Sequence, residues 1–563
     1  MIMKRTLPAL LLCLCLPLLC PGQFFPAFYK NYSFDSADSL RGALRPERTC
    51  YDVTFYDLHI AVDIDKKFLN GYVDIFFDAV EDFEVLQIDL HHNLEIDQIT
   101  CYDKLLTFHR LHDAVFVRFP EPFLKGTSGS IRVHYHGYPK ESANAPWEGG
   151  FVWKKDAKGR PWVGVACQGD GASLWWPNKD HLSDEPDSMA IHVIVPRKLS
   201  VICNGNPRGV ELVSRDLVRF NWFISYPINN YNVTLNIGHY RHFGDVYVAQ
   251  DGDSLDLDFY VLDYNLDKAK KHFQQVKGVL ACFEKYLGKY PFWKDGYALV
   301  ETPYLGMEHQ SAIAYGNRYM RGYLGSMIPP DMDWDYIIVH ETGHEYFGNA
   351  LSCTDLAEMW LHESFTTYLE ALYVECRYGY EDALRYLLNQ RDFITNREPI
   401  LGPPQVNWHN WNGTDHYFKG AWILHTLRHA IGDDELWFRI LRTFYERHSI
   451  GFATTQDFIN TVNEMTGRDW TAFFRQYLEF PTPPRLLYHL EEEGSRLRVA
   501  CLWEAEVPGF EMPVKIGRPG QWVTVQPNTE QPVEVLLEGV SKQEFEVATD
   551  LFLIRKKAAR LLR

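Results

Sequence analysis

The sequence predicts a multidomain α+β protein: a β-rich N-terminal part, a mixed α/β middle that turns mostly helical, and a small C-terminal β-sandwich. Three observations carry this. Up to about residue 240, apolar residues come in short runs of period two, punctuated by turns such as Pro120-Glu121-Pro122 and Asn204-Gly205-Asn206-Pro207, which is strand patterning. From Leu266 to Phe480 apolar residues recur at intervals of three and four, the spacing of helix faces. From Arg485 short strands return. A chain of 563 residues is also too long for one core.

In chain order, Lys4 and Arg5 precede an apolar run from Leu7 to Leu19, the layout of a secretory signal over 1–22, cleaved near Gly22. This implies a secreted or periplasmic protein. The alternative is a lipid anchor at Cys20, because Pro-Leu-Leu-Cys is a poor lipobox. No later run reaches the roughly 18 apolar residues of a membrane span. Residues 23–48 read as a polar, loose N-terminal extension. An N-terminal β domain is expected over 49–245, with strands at 58–64, 72–77, 84–90, 114–119, 130–135, 190–195, 219–223 and 232–237.

The middle domain is expected over 246–480. It opens with a helix over 266–287 and a β-like stretch from 297 to 314. Two helices follow within 334–375, then others over 416–432, 434–448 and 469–480, with one opened by Thr454 and Asp457 as a capping-box start. Pro481-Thr482-Pro483-Pro484 stops helical structure. The C-terminal β-sandwich is expected over 481–563, with strands at 486–490, 497–503, 522–525, 533–536 and 545–548. The basic tail 555–563 reads as a solvated surface segment. No repeat or low-complexity tract is present.

Composition narrows the function. A formal charge of −18 lacks the basic footprint that nucleic-acid phosphates require. With 46% hydrophobic and 23% charged residues, the chain has the profile of an ordinary globular protein. Of 11 cysteines, Cys13, Cys15 and Cys20 fall in the leader, and the others are scattered without a C-x-x-C. Neither a zinc knuckle nor a dense disulfide framework is indicated, and pairing stays open.

The stretch from Trp334 to Glu375 carries His340-Glu341-x-x-His344. On a helix, residues four apart share a face, so both imidazoles reach one metal ion. A catalytic zinc needs a third protein ligand and an open position. Glu363, 19 positions beyond His344 in a second helical run, supplies it if the two helices fold back antiparallel. The predicted site is His340, His344, Glu363 and a water, with Glu341 as the base. H-E-x-x-H alone recurs by chance on ordinary helices; the spaced acid narrows that. By themselves, Glu308 is a loop carboxylate and Tyr417 a core tyrosine.

Together, H-E-x-x-H, the glutamate 19 on, Gly306-Met307-Glu308 ahead and Tyr417-x-Lys419-Gly420 behind resemble the M1 family of zinc aminopeptidases (the gluzincin group that includes leukotriene A4 hydrolase). The resemblance spans most of the chain. It implies an N-terminal saddle domain, a thermolysin-like catalytic domain, one Zn2+ per chain and peptide substrates with a free N-terminus. It further implies that Glu308 grips the α-ammonium, that Gly306 and Met307 pair with substrate backbone, and that Tyr417 donates to the oxyanion. Gln168 would be a second amine-side anchor, Tyr304 would line the pocket for the first side chain, and Glu358 would support the metal ligands.

Departures from the family's pattern are His309 where Asn is preferred, Leu305, Thr342-Gly343, and His362 and Ser364 around the ligand Glu363. The family's long C-terminal helical domain does not follow the sandwich, which implies an open site or one closed by a partner subunit in a homo-oligomer. The alternatives on the same residues are a thermolysin-like endopeptidase or an epoxide hydrolase. A non-catalytic binding or scaffold protein of this fold is disfavoured, because ligands, base and anchors are all present.

Overall fold

A computed structural model describes residues 26–408 and 411–560. The expected leader over 1–22, with Cys20, and the end of the basic tail at 561–563 lie outside the described residues. The N-terminal part is built on an eight-stranded sheet. Its centre holds β1 (Tyr51–Asp63), paired antiparallel with β2 (Phe68–Ala79) and parallel with β3 (Ser188–Pro196), which pairs in turn with β4 (Leu217–Ile224). Leu58, Ile60, Val73, Ile75, Ile191 and Val193 face the core. Alternate residues such as Asp57, His59 and His192 are only half-buried, the alternation expected of a sheet with one covered face.

Residues 26–48, expected to be loose, are ordered. A 3-10 turn (Ala27–Asn31) and a helix (Ser36–Gly42), capped by a reciprocal Asp35–Asp38 box, lie along both halves of the molecule. The Tyr29, Tyr32 and Phe34 rings surround Trp408 at 5.7–6.1 Å. Arg41 pairs with Asp180 at 3.0 Å, and Nη2 of fully buried Arg48 donates to both oxygens of Asp89 at 2.9 Å while its Nη1 donates to the Asp180 carbonyl. The segment reads as polar because its arginines are polar; here those arginines are its anchors.

A five-stranded sheet follows: β5 (Tyr240–Val248), β6 (Ser254–Leu262), β7 (Tyr297–Glu301), β8 (Gly306–Met307) and β9 (Ile313–Tyr315), in the order β5-β6-β7-β9-β8. Val300 and Ala314 on one face join the N-terminal core, while Leu299 and Ile313 on the other join the helices. Burial on both faces explains why β7 is buried at every position. The two-residue strand β8 closes one edge and leaves its other side unpaired within the sheet.

The helical layer holds α1 (Val276–Leu287), α2 (Tyr336–His344), α3 (Trp360–Tyr378), α4 (Tyr380–Arg391) and α5 (Phe418–Ile431). All nine residues of α2 are buried, so it shows no amphipathic stripe. Cys282 of α1 and Cys376 of α3 form a disulfide. The helix expected over 266–287 is broken by a 3-10 turn (Phe273–Gln275) into Leu266–His272 and α1. Helices Asp434–His448, Thr455–Thr466 and Thr471–Leu478 follow α5, and the Thr454–Asp457 capping box forms as its sequence signature predicts. The C-terminal strands form a four-stranded and a three-stranded sheet. The expected surface tail is in part a strand, Arg555–Ala558, paired parallel with Arg485–Glu493.

Candidate active site

Asp335 opens α2 by accepting the Ile338 N–H at 3.2 Å, while Tyr315 and His272 hold its second oxygen at 2.7 Å. This fixes the helix that carries His340, Glu341 and His344. Glu363 lies in the first turn of α3. The Nε2 atoms of His340 and His344 face each other at 3.1 Å, and Glu363 Oε2 lies 3.6 and 3.2 Å from them.

The hydrogen-bond partners decide which ring nitrogens carry protons. His344 Nδ1 faces the Phe347 carbonyl at 3.0 Å, an acceptor only, so Nδ1 is the N–H. His340 Nδ1 likewise donates to Glu370 Oε1 at 2.6 Å. Both Nε2 lone pairs therefore point inward, toward a carboxylate oxygen that is buried and has no hydrogen-bond partner. Three electron-pair donors at this separation repel one another unless a cation lies among them. The donor set suits Zn2+, and a second carboxylate on the far side of a ligating imidazole is how such rings are oriented.

Glu370 was not legible as a site residue, although it stands two helical turns beyond Glu363 on the same face of α3. Its Oε2 accepts from Tyr386 at 2.6 Å and Gln390 at 2.8 Å, both on α4. Glu358 does not support the ligands: its carboxylate accepts the Thr455 N–H at 2.8 Å, at the start of a different helix.

Around this centre lies a cavity of about 530 Å³, lined among others by Gln168, Gly306, Met307, Glu308, Glu341 and Tyr417. Glu308, Glu341 and His344 present their polar atoms within 4.8 Å of one another. Burial lifts the Glu341 carboxyl to about 8, with the His340 and His344 rings opposing; a cation beside it draws it back toward the ionised form. Burial also raises Glu308, whose Oε1 accepts the Tyr231 hydroxyl at 3.1 Å. Gln168 reaches in from the N-terminal half and donates to Glu363 Oε1 at 2.6 Å.

Two glycines set the packing. A Cβ at Gly306 would meet Glu341 Oε1 at 2.6 Å and Ile337 at 2.9 Å, so β8 lies directly against the base. A Cβ at Gly420 would overlap the Ser364 side chain, so α5 crosses α3 closely at the residue after Glu363. Ser364 Oγ then donates to the His416 carbonyl at 2.6 Å, and the Tyr417 ring stacks beside His340 at 6.0 Å. Burial and the neighbouring Glu363 hold the Tyr417 hydroxyl protonated.

Tyr304, expected to line the pocket for the first side chain, stands away from the cavity. It is buried and donates to the Val165 carbonyl at 2.9 Å, outside the cavity lining, because its ring fills the space above Gly164 in the N-terminal half. Its neighbour Leu305 lines the cavity instead. His309 is also outside that lining, fully buried, and burial takes its imidazole down to about 3.

Residues 265–477 match the peptidase family M1 domain. The chain carries a peptidase M1 domain. Aminopeptidase N of Escherichia coli (strain K12) is 22% identical over 316 residues, 53% of this chain and 36% of that protein. Probable aminopeptidase 2 of Sulfurisphaera tokodaii is 22% identical over 464 residues, 79% of this chain and 55% of that protein. The chain thus spans about half the length, or less, of these relatives. The M1 zinc metallopeptidase from Deinococcus radiodurans has a TM-score of 0.64 at 20% identity, covering 77% of this chain and 95% of that one. At that identity the likeness shows the fold.

Proposed function

We propose that this protein is a zinc-dependent aminopeptidase that removes residues one at a time from peptides with a free N-terminus. The observation that carries it is the convergence of His340 Nε2, His344 Nε2 and the unpartnered Glu363 Oε2 beside three further polar groups, Glu341, Glu308 and Tyr417. Bound by those three residues, Zn2+ supplies a Lewis acid that acidifies water and polarises a carbonyl. Glu341 accepts the proton of the attacking water and returns it to the leaving nitrogen. Tyr417, protonated, donates to the developing oxyanion. Glu308 pairs with the substrate α-ammonium, and its fixed distance from Glu341 sets removal at one residue. The open edge of β8 offers Gly306 and Met307 backbone to an extended peptide. Gln168 holds Glu363 from the N-terminal side and borders the amine subsite.

Two further features support the reading. The aminopeptidase names of the relatives agree with it, and a variant of the Deinococcus radiodurans enzyme is recorded with a Tyr-Ser-Ala substrate. The Cys282–Cys376 bond favours an oxidising compartment, secreted or periplasmic. No described helix is long and apolar enough to cross a membrane.

The test is a panel of aminoacyl-arylamides with and without N-acetylation, using native, chelated and Glu308→Ala protein. Hydrolysis of free-amine substrates only, abolished by chelation and sharply weakened by Glu308→Ala, is expected. Equal cleavage of acetylated peptides would indicate an endopeptidase. Turnover that survives demetallation would overturn the metal reading.

A further inference from the structure

We propose that Asp57, His59 and His192 form a second, separate site for a divalent transition metal on the outer face of the N-terminal sheet. Asp57 and His59 are two apart on β1 and so share a face, and His192 on β3 stands in direct register with His59. All three project from paired strands of a central sheet, a firmer support than a loop. His59 Nε2 and His192 Nε2 lie 2.9 and 3.1 Å from one and the same atom, Asp57 Oδ1.

Those contacts are close but are not aligned hydrogen bonds: Asp57 Oδ1 is buried and has no hydrogen-bond partner. The second nitrogen of His192 is also engaged. Its Nδ1 meets Asn221 Oδ1 at 2.5 Å, and that amide's orientation is set because Asn221 Nδ2 donates to Glu211 Oε1 at 2.9 Å. The His192 N–H is therefore at Nδ1, and in the neutral ring Nε2 holds a lone pair next to the Asp57 carboxylate. The two imidazoles stack at 4.2 Å, and Tyr72 stacks on the outer side of His59 at 4.5 Å. Two imidazolium ions at that separation would repel, so protonating both rings is no remedy.

A shared cation satisfies all three atoms at once. Donors each about 2.0–2.1 Å from one ion stand roughly 3 Å apart when they occupy neighbouring positions, the spacing of each imidazole nitrogen from Asp57 Oδ1 here, and all three ligand atoms lie within 4.8 Å of one another. Two imidazoles and one carboxylate select a borderline metal such as Zn2+ or Cu2+ over Ca2+ or Mg2+, which prefer all-oxygen shells. The outer partners are of the kind that tune such sites: Asn221 behind His192, and Arg132, stacked over Tyr72 at 4.3 Å and forked onto Asp74, beside the stack. An ion here would bind β1 to β3, strands far apart in sequence, without entering the catalytic cleft.

The test counts metal in the full-length protein after equilibrium dialysis against Zn2+, for wild type, His59→Ala, His192→Ala and, separately, His344→Ala. About two equivalents are expected in wild type and about one in each variant, with arylamidase activity retained by His59→Ala and His192→Ala and lost by His344→Ala. Because His344→Ala empties only the cleft, one remaining equivalent there reports the sheet site whether or not the peptidase reading holds. Cu2+ added to His344→Ala should show hyperfine coupling to two nitrogens by electron paramagnetic resonance, falling to one when His59→Ala is combined. Affinity at the sheet should drop at least about 100-fold in either sheet variant. A single equivalent in wild type, or a second equivalent unmoved by His59→Ala and His192→Ala, overturns the proposal; the cluster would then be one imidazolium paired with Asp57.

Discussion

At the scale of single residues, the candidate site is arranged by which atoms are already occupied. Glu363 Oε1 is taken by Gln168, so Oε2 is the free donor; each imidazole uses Nδ1 on a fixed acceptor, so each offers Nε2. Gly306 has a similar negative role, since its missing side chain is what lets Glu341 lie against β8. Replacing it with alanine should push the carboxylate aside while leaving the ligand triad untouched. We expect Gly306→Ala to lower kcat/KM by about 100-fold with zinc content unchanged, read by steady-state kinetics alongside metal analysis. Retention of full activity would show that Glu341 has room to spare. Spacing made four residues legible, His340, Glu341 and His344 on one helix and Glu363 on the next, whereas Glu308, Gln168, Gly306, Met307 and Tyr417 stood out only through the family resemblance. Tyr304 departs from expectation because it lies in the bend ahead of β8, and a sequence gives no sign of which way a bend turns its ring: here it packs over Gly164 and leaves the cavity wall to Leu305.

At the scale of elements, α3 bears most of the organisation. It carries Glu363 in its first turn, Glu370 two turns later, and Cys376 in its last turn, where the disulfide ties it to α1. The two cysteines are 94 residues apart, so the bond closes a long loop of the unfolded chain. Cys376→Ser should cost about 2–5 kcal/mol, seen as a lower denaturant midpoint, and reductant should lower the wild type but not the variant. An identical midpoint in both would mean the helices need no tether. This pairing had no signature in the sequence: scattered cysteines become partners only through the crossing of α1 and α3. α4 was missed as well. It is a 12-residue helix that follows directly on Gly379, whose φ of 103° is open to glycine, and its Tyr386 and Gln390 brace Glu370. The helix from Asp434 to His448, by contrast, was legible to the residue, because its start is capped by Asp433 and its faces are clearly unequal.

At the scale of the whole molecule, the β-rich part, the mixed middle and the terminal sandwich were foreseeable from periodicity, whereas their contacts were not. One such contact is titratable. Glu185 of the N-terminal half accepts Ser352 of the catalytic half at 2.6 Å, and burial lifts its carboxyl from 4.5 to about 7. The folded protein keeps this proton where the unfolded chain releases it. Stability from this group therefore falls as pH rises from about 4.5 to about 7 and is level above that, with a slope of at most about 1.4 kcal/mol per pH unit. Glu185→Gln should flatten that part of the profile in melts taken across the range; an unchanged slope would assign the dependence to other acids.

The segment ahead of the first long strand has a practical consequence for anyone producing this protein. Periodicity alone would start a recombinant gene at residue 49, after a stretch that looks dispensable. Such a gene would remove Arg48, the cation paired with the buried Asp89 carboxylate, and would uncover the Trp408 indole on the catalytic side. Insoluble or sluggish material from that shortened gene would be an artefact of the cut. Cloning boundaries belong upstream of Pro26.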